Sequence, residues 1–202
     1  MRKINKGQRP ETLNDFCKKN ATANWADLHK EESKAVYEKM RLTILVEEQD
    51  NRCAYTELPI AEEKDCHIDH YKMKGIFPAL TFDWDNLLCS VYGEYGAEHK
   101  DSKFRIGSKP NTYNEIFNPV IDFVENHFYY NQQGEIEAKN GAIKPKVIKT
   151  VEVFNLNHPS LKNKREAILR EIEDIKGQIS NEDIEQAYQN RGFLSVVKQA
   201  LQ

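Results

Sequence analysis

An acidic residue beside a histidine, Asp69-His70, sits about a third of the way along this 202-residue chain. An imidazole titrates near neutral pH, so His70 can take a proton from a water as that water attacks phosphorus. The adjoining Asp69 carboxylate suits one hard divalent cation such as Mg²⁺ or Mn²⁺, which prefers oxygen and tolerates imidazole. Alternation along a strand puts neighbours on opposite faces, so one residue can address the metal and the next the nucleophile. Downstream, Asp85-Asn86-Leu87 forms a turn. The Asn86 amide has donors and an acceptor for backbone on either side of the loop, which would orient His70. The cluster Glu98-His99-Lys100-Asp101 closes the set. His99 is the candidate for the second metal group and Asp101 its rival, both within one helical turn. Lys72, Lys100 and Lys103 are candidates for phosphate contact. Singly, each is ordinary: an Asn in a turn, a solvated helix charge, a hydrogen-bonded His. Their order and spacing together point to phosphodiester hydrolysis, with His70 and Asn86 as catalytic groups.

Composition sets bounds on that reading. Hydrophobic residues make up 39% and charged residues 30%, the balance of a soluble globular chain. Net charge is −3, which argues against a non-specific nucleic-acid coat but leaves room for a local basic groove. No apolar run is long enough to span a membrane and the basic N-terminus lacks a signal-peptide core, so a cytoplasmic location is the expectation. Cys17, Cys53, Cys66 and Cys89 are widely spaced and read as thiols rather than disulfides. No phosphate-cradling G-x-x-x-x-G-K-[ST] loop occurs, so any ATP requirement would come from a partner.

Several elements must position the cluster. Residues 1–32 read as an irregular arm with one short helix starting at Pro10, and with Trp25 and Leu28 anchored on the core. Residues 33–49 predict a helix capped by Ser33, with Val36, Met40 and Ile44 on one face. Residues 52–60 read as a sharp knuckle, and 66–71 as a short strand carrying Asp69 and His70. A helix is expected over 97–103, a hairpin over 126–138, a polar connector over 139–149 and a strand over 151–156. Residues 159–176 predict a helix with Asn157 as its cap, and two short helices, around 183–189 and 193–201, finish the chain.

These stretches resemble the HNH (ββα-metal) endonuclease family, and within it the PtuB-type nuclease subunits of Septu anti-phage defence systems, which also accompany some retrons. The similarity runs through L-V-E-E-Q-D-N-R-C-A-Y, I-D-H-Y-K-M-K, W-D-N-L-L-C, H-K-D-S-K-F, F-Y-Y-N-Q-Q-G-E-I and F-N-L-N-H-P-S-L-K-N-K-R. It implies an α+β fold: a ββα-metal core over 51–110, an N-terminal part over 1–50 and a C-terminal part over 111–202, all in one compact domain. It also implies a DNA endonuclease in which Asp69 binds the cation, His70 activates water and Asn86 is the middle motif residue. The implied partner is a PtuA-like ATPase of the ABC/SMC type, joined in a retron by a reverse transcriptase and its RNA–DNA product.

Two departures stand out. Many relatives carry two C-x-x-C pairs that hold zinc; here they read Cys53-x-x-Thr56 and Cys89-x-x-Tyr92, too few ligands for a tetrahedral site, so no structural zinc is predicted. The third motif position, an Asn or His in relatives, is Ala97, so His99 or Asp101 must compensate. The alternative is a catalytically silent adaptor that keeps the shape and binds DNA or a partner.

Overall fold

The chain builds around a short antiparallel ribbon, β1 (Cys66–His70) and β2 (Leu87–Val91), with Cys66 opposite Val91 and His70 opposite Leu87. A computed structural model describes residues 1–202. Every residue of β2 is buried, as for a strand covered on both faces. Helix α1 (Glu11–Lys19) buries Leu13 and Phe16; α2 (Lys34–Leu42) continues at π-type pitch through Thr43–Glu48. Ser33 stands at the N-cap of α2 but makes no capping bond, contrary to its predicted role.

The end of α2 braces the ribbon. The Gln49 side chain donates to the carbonyls of Arg52 (2.7 Å) and Cys89 (2.9 Å) and accepts from the Cys89 N–H (2.8 Å). It thus mimics one rung of a third strand and covers the edge of β2. Next to it the buried Glu48 carboxylate accepts from Gly7 N–H (2.8 Å), Trp84 Nε1 (2.8 Å) and the Lys6 ammonium. Arm, helix end and the turn before β2 are tied at that one carboxylate.

After β2 comes α3 (Gly96–Glu98), which continues at π-type pitch through His99–Lys103. Gly96 has φ +67°, and a Cβ there would lie 2.9 Å from Ser90 Oγ, so glycine lets the helix start against β2 without strain or crowding. A second ribbon, β3 (Phe128–Tyr130) with β4 (Ile136–Ala138), forms inside the predicted hairpin.

Of residues 151–156, expected as a strand, 151–154 belong instead to helix α4 (Lys144–Phe154) and 155–156 to the turn after it; α4 also takes up part of the predicted connector. Pro145 lies in its first turn, and Val147, Thr150, Val153 and Phe154 are buried along one face at helical spacing. α5 (Pro159–Ile175) is capped by His158 rather than Asn157. Asn157 bonds both backbone groups of Ile136 and, with Leu156 and Gly134, receives the buried Arg165 guanidinium. α6 (Asn181–Tyr188) and α7 (Leu194–Ala200) close the chain.

The architecture is α+β: seven helices and two two-stranded antiparallel ribbons. One core of 43 buried apolar residues runs from Met1 to Val197 and takes in all parts of the chain. No helix is long and apolar enough to cross a membrane.

Candidate active site

β1 carries its last two residues, Asp69 and His70, to opposite faces, as the pleat requires. On one face the His70 ring lies edge-on to Trp25, and Trp25 packs on Phe82. His70 is 5% exposed. Its Nε2 sits 3.0 Å from the Thr81 carbonyl oxygen. A carbonyl only accepts, so Nε2 carries the proton and Nδ1 keeps its lone pair. Nδ1 makes no hydrogen bond within the protein and is not sealed from solvent. Burial, above all, lowers the His70 pKa to about 4, with the Lys74 charge adding and the Thr81 bond opposing. The ring is therefore neutral at pH 7, the state a general base needs.

Asn86 fixes the loop that carries Thr81. Its Oδ1 accepts from Lys72 N–H (2.8 Å), and its Nδ2 donates to the carbonyls of Lys72 (3.0 Å) and Leu80 (3.1 Å). The Asn86 carbonyl in turn accepts from Tyr71 N–H (2.9 Å). One buried amide thus joins the start of the loop, beside His70, to its far side, beside Thr81.

The other face holds Asp69, 4% exposed. Tyr55 donates its hydroxyl to Asp69 Oδ2. Lys100 Nζ lies 3.2 Å from Asp69 Oδ1, 2.7 Å from Asp101 Oδ1 and 3.0 Å from the His70 carbonyl. Burial pulls the Lys100 pKa down, but Asp69 and then Asp101 more than offset it, leaving it raised. Burial raises the Asp101 pKa, and the Asp69 charge raises it further, with Lys100 opposing. His67 lies on the Asp69 face of the strand, and its Nδ1 is buried without a partner.

The structure gathers Asp69, Lys100 and Asp101 but leaves His99 apart. The His99 ring turns to α4, with Nδ1 3.0 Å from the Val153 carbonyl. Lys100, predicted to contact phosphate, is fully buried, and its three N–H donors are all taken. Lys103 is exposed, and Lys72 is half-buried with its ammonium over the Phe77 ring. Ala97 is buried where its N–H donates to Ser90 Oγ. As arranged, the donor set does not fit a divalent cation: an ammonium lies between the two carboxylates, and no three His, Cys, Asp or Glu side chains gather. Three of the four cysteines pack as small buried groups: Cys53 beside Ser90 Oγ (3.6 Å), Cys89 beside the Arg41 carbonyl (3.8 Å) and Cys66 beside the Glu63 carbonyl (3.4 Å).

Sequence reasoning missed Thr81, Tyr55 and Gln49. Thr81 acts through its backbone carbonyl, which no side-chain pattern reveals. Tyr55 comes from the knuckle, where its spacing to Asp69 follows no rule. Trp25 was visible as an apolar anchor but not as a neighbour of His70.

No protein-family model matches the chain. Two curated proteins are similar in sequence. The Septu protein PtuB of Bacillus thuringiensis is 31% identical over 117 residues, covering 56% of this chain and 39% of that protein. An Escherichia coli protein provisionally named as the HNH endonuclease of retron Ec83 is 24% identical over 205 residues, covering 84% of this chain and 79% of that protein. The match thus spans well under half the length of the Bacillus relative. The resemblance read from the motifs is met in part by each name: Septu and PtuB by the first relative, a retron HNH endonuclease by the second.

Proposed function

We propose that this chain is an HNH-type endonuclease that hydrolyses phosphodiester bonds of DNA, with His70 as the water-activating base. The observation that carries this reading is the hydrogen bond from His70 Nε2 to the Thr81 carbonyl, which leaves Nδ1 bare on a neutral ring. Asn86 holds that geometry by joining both sides of the loop. The order of strand, loop, strand and short helix from Cys66 to Lys103 supports assigning a ββα-metal core. The name of the retron relative supports the activity.

Water held at Nδ1 would give up a proton to the imidazole as its oxygen attacks phosphorus; the bond from phosphorus to the 3′ oxygen breaks, the leaving oxygen takes a proton from solvent, and the ring returns its own proton to solvent. Lys103 and Lys72 are the basic side chains near the site that would meet phosphates. The divalent cation, Mg²⁺ or Mn²⁺, belongs to this proposal at Asp69 and Asp101 only in a state where Lys100 has moved.

The setting we propose is anti-phage defence, with a PtuA-like ATPase as partner and, in a retron, the reverse transcriptase and its RNA–DNA product. The names of the two relatives support it. A silent adaptor is the second reading, and the burial of both Asp69 and His70 favours it. Plasmid cleavage in Mg²⁺ or Mn²⁺, with the ATPase present, separates the two. Wild type should nick or linearise the plasmid and His70→Ala should not; equal cutting by both proteins, or by neither, rejects the nuclease reading. A parallel RNA substrate tests the choice of nucleic acid.

A further inference from the structure

The Asp69 face of the site already contains a cation. Lys100 Nζ lies between two carboxylates, 3.2 Å from Asp69 Oδ1 and 2.7 Å from Asp101 Oδ1, and takes the His70 carbonyl as a third acceptor at 3.0 Å. Its side chain has no exposure to solvent, and that of Asp69 has only 4%. An ammonium has three N–H groups, and here each has an oxygen. The second Asp69 oxygen is occupied by the Tyr55 hydroxyl. One monovalent charge therefore neutralises part of an acidic pair, buried at Asp69 and 36% exposed at the Asp101 side chain, and ties α3 to the end of β1.

We propose that Lys100 is a built-in cation that closes the Asp69–Asp101 position to divalent metal in the isolated chain, so that metal enters only when the ammonium withdraws. Two arguments carry this. A divalent ion bound between these carboxylates would lie within a few ångströms of the buried ammonium, and that repulsion is large where water cannot screen it. Removing Lys100 without replacing its charge would leave the buried Asp69 carboxylate without its cation, a costly state unless another cation fills the position. The ammonium and a divalent ion would therefore compete for the same space. The hydrogen bond from Lys100 to the His70 carbonyl links this filling to the strand end that presents the proposed base.

The inference rests on Asp69 and Asp101 being the metal position of the proposed nuclease, but its test reads binding, not cleavage. Mn²⁺ is titrated into the full chain without a partner, and free Mn²⁺ is followed by its EPR signal. Wild type should bind weakly. Lys100→Met, whose side chain is similar in length but uncharged, should bind at least about tenfold more tightly, because the repelling charge is gone. Without metal, Lys100→Met should melt below wild type, and Mn²⁺ should raise its Tm while leaving that of wild type unchanged. Lys100→Arg keeps the charge and should bind no better than wild type.

Tight Mn²⁺ binding by wild type that is lost in Asp69→Asn overturns the proposal, and this needs no Lys100 variant to fold. So does a folded Lys100→Met that binds no better than wild type. If Lys100→Met gains Mn²⁺ but no form of the protein cuts DNA, the nuclease reading fails and this one stands. If wild type binds Mn²⁺ tightly and cuts in a His70-dependent way, the reverse holds.

Discussion

The indole of Trp25 meets the imidazole of His70 edge-on, with ring centroids 4.3 Å apart and planes at 75°. Trp25 comes from a short turn in the N-terminal arm, held by a reciprocal cap: the Asn24 side chain accepts from Ala26 N–H (2.9 Å), and Asp27 accepts from Asn24 N–H (2.8 Å). A segment far from the motif in sequence thus shields the candidate base.

That shielding has a pH signature. Burial lowers the folded-state pKa of His70 from 6.5 to about 4. Between these values the unfolded chain binds a proton that the folded chain does not, so this group favours folding above pH 6.5 and its contribution is lost as pH falls toward 4. Trp25→Ala should open the ring to water, raise the His70 pKa toward 6.5 and reduce the loss in acid. NMR titration of the His70 ring protons reads this directly; an unchanged titration contradicts the role given to Trp25.

Asn86→Ala removes three hydrogen bonds and leaves the Lys72 N–H, Lys72 carbonyl and Leu80 carbonyl without them. We expect a stability loss of about 3 kcal/mol in denaturant unfolding, since each stranded buried group costs roughly 1–3 kcal/mol before relaxation. Asn86→Asp keeps the acceptor for Lys72 N–H but loses both donors, so it should fall between the two. A loss too small to measure in Asn86→Ala would mean that the amide does not hold the loop.

Gly96→Ala sets a side chain at φ +67°, 2.9 Å from Ser90 Oγ. The backbone strain costs about 1–2 kcal/mol, and the crowding against Ser90 adds to it. Thermal melting should show a lower Tm, whereas Gly75→Ala, where nothing lies within 4 Å, should show little change. Equal effects at the two positions contradict the account of how α3 starts.

His99→Ala should leave metal binding and cleavage as in wild type, because the ring faces Val153 rather than Asp69. Its only cost should be about 1 kcal/mol of stability from the lost hydrogen bond. Asp101→Asn should instead change metal binding in any form of the protein that binds metal. A stable His99→Ala protein that has lost cleavage would restore His99 to the site.

What the sequence disclosed follows its physical signals. The Asp69-His70 strand, the Asn86 turn and the hairpin near Tyr130 were legible because period-two patterns and turn residues are local. α4 was misread because Val151 and Val153 alternate over a short window; Pro145 and the Val147–Thr150–Phe154 face decide for helix. Ser33 and Asn157 are cap-type residues in cap-like places, yet Ser33 makes no capping bond and the Asn157 side chain bonds the backbone of Ile136 instead. His99 and Lys100 show the sharper limit. Neighbours on a helix point about 100° apart, so candidates can be named from spacing, but which one faces Asp69 depends on helix rotation. Here the π-type pitch over His99–Lys103 changes that rotation. Contacts made by backbone, such as the Thr81 carbonyl on His70, leave no trace in side-chain patterns.

The base assignment is open to direct chemical test. His70→Ala, shown by its melting curve to be folded, is assayed on supercoiled plasmid with the ATPase and metal present, with free imidazole added in steps. The account predicts no cutting without imidazole and a rate that rises with the concentration of neutral imidazole. His70→Ala cutting as fast as wild type with no imidazole present would contradict it.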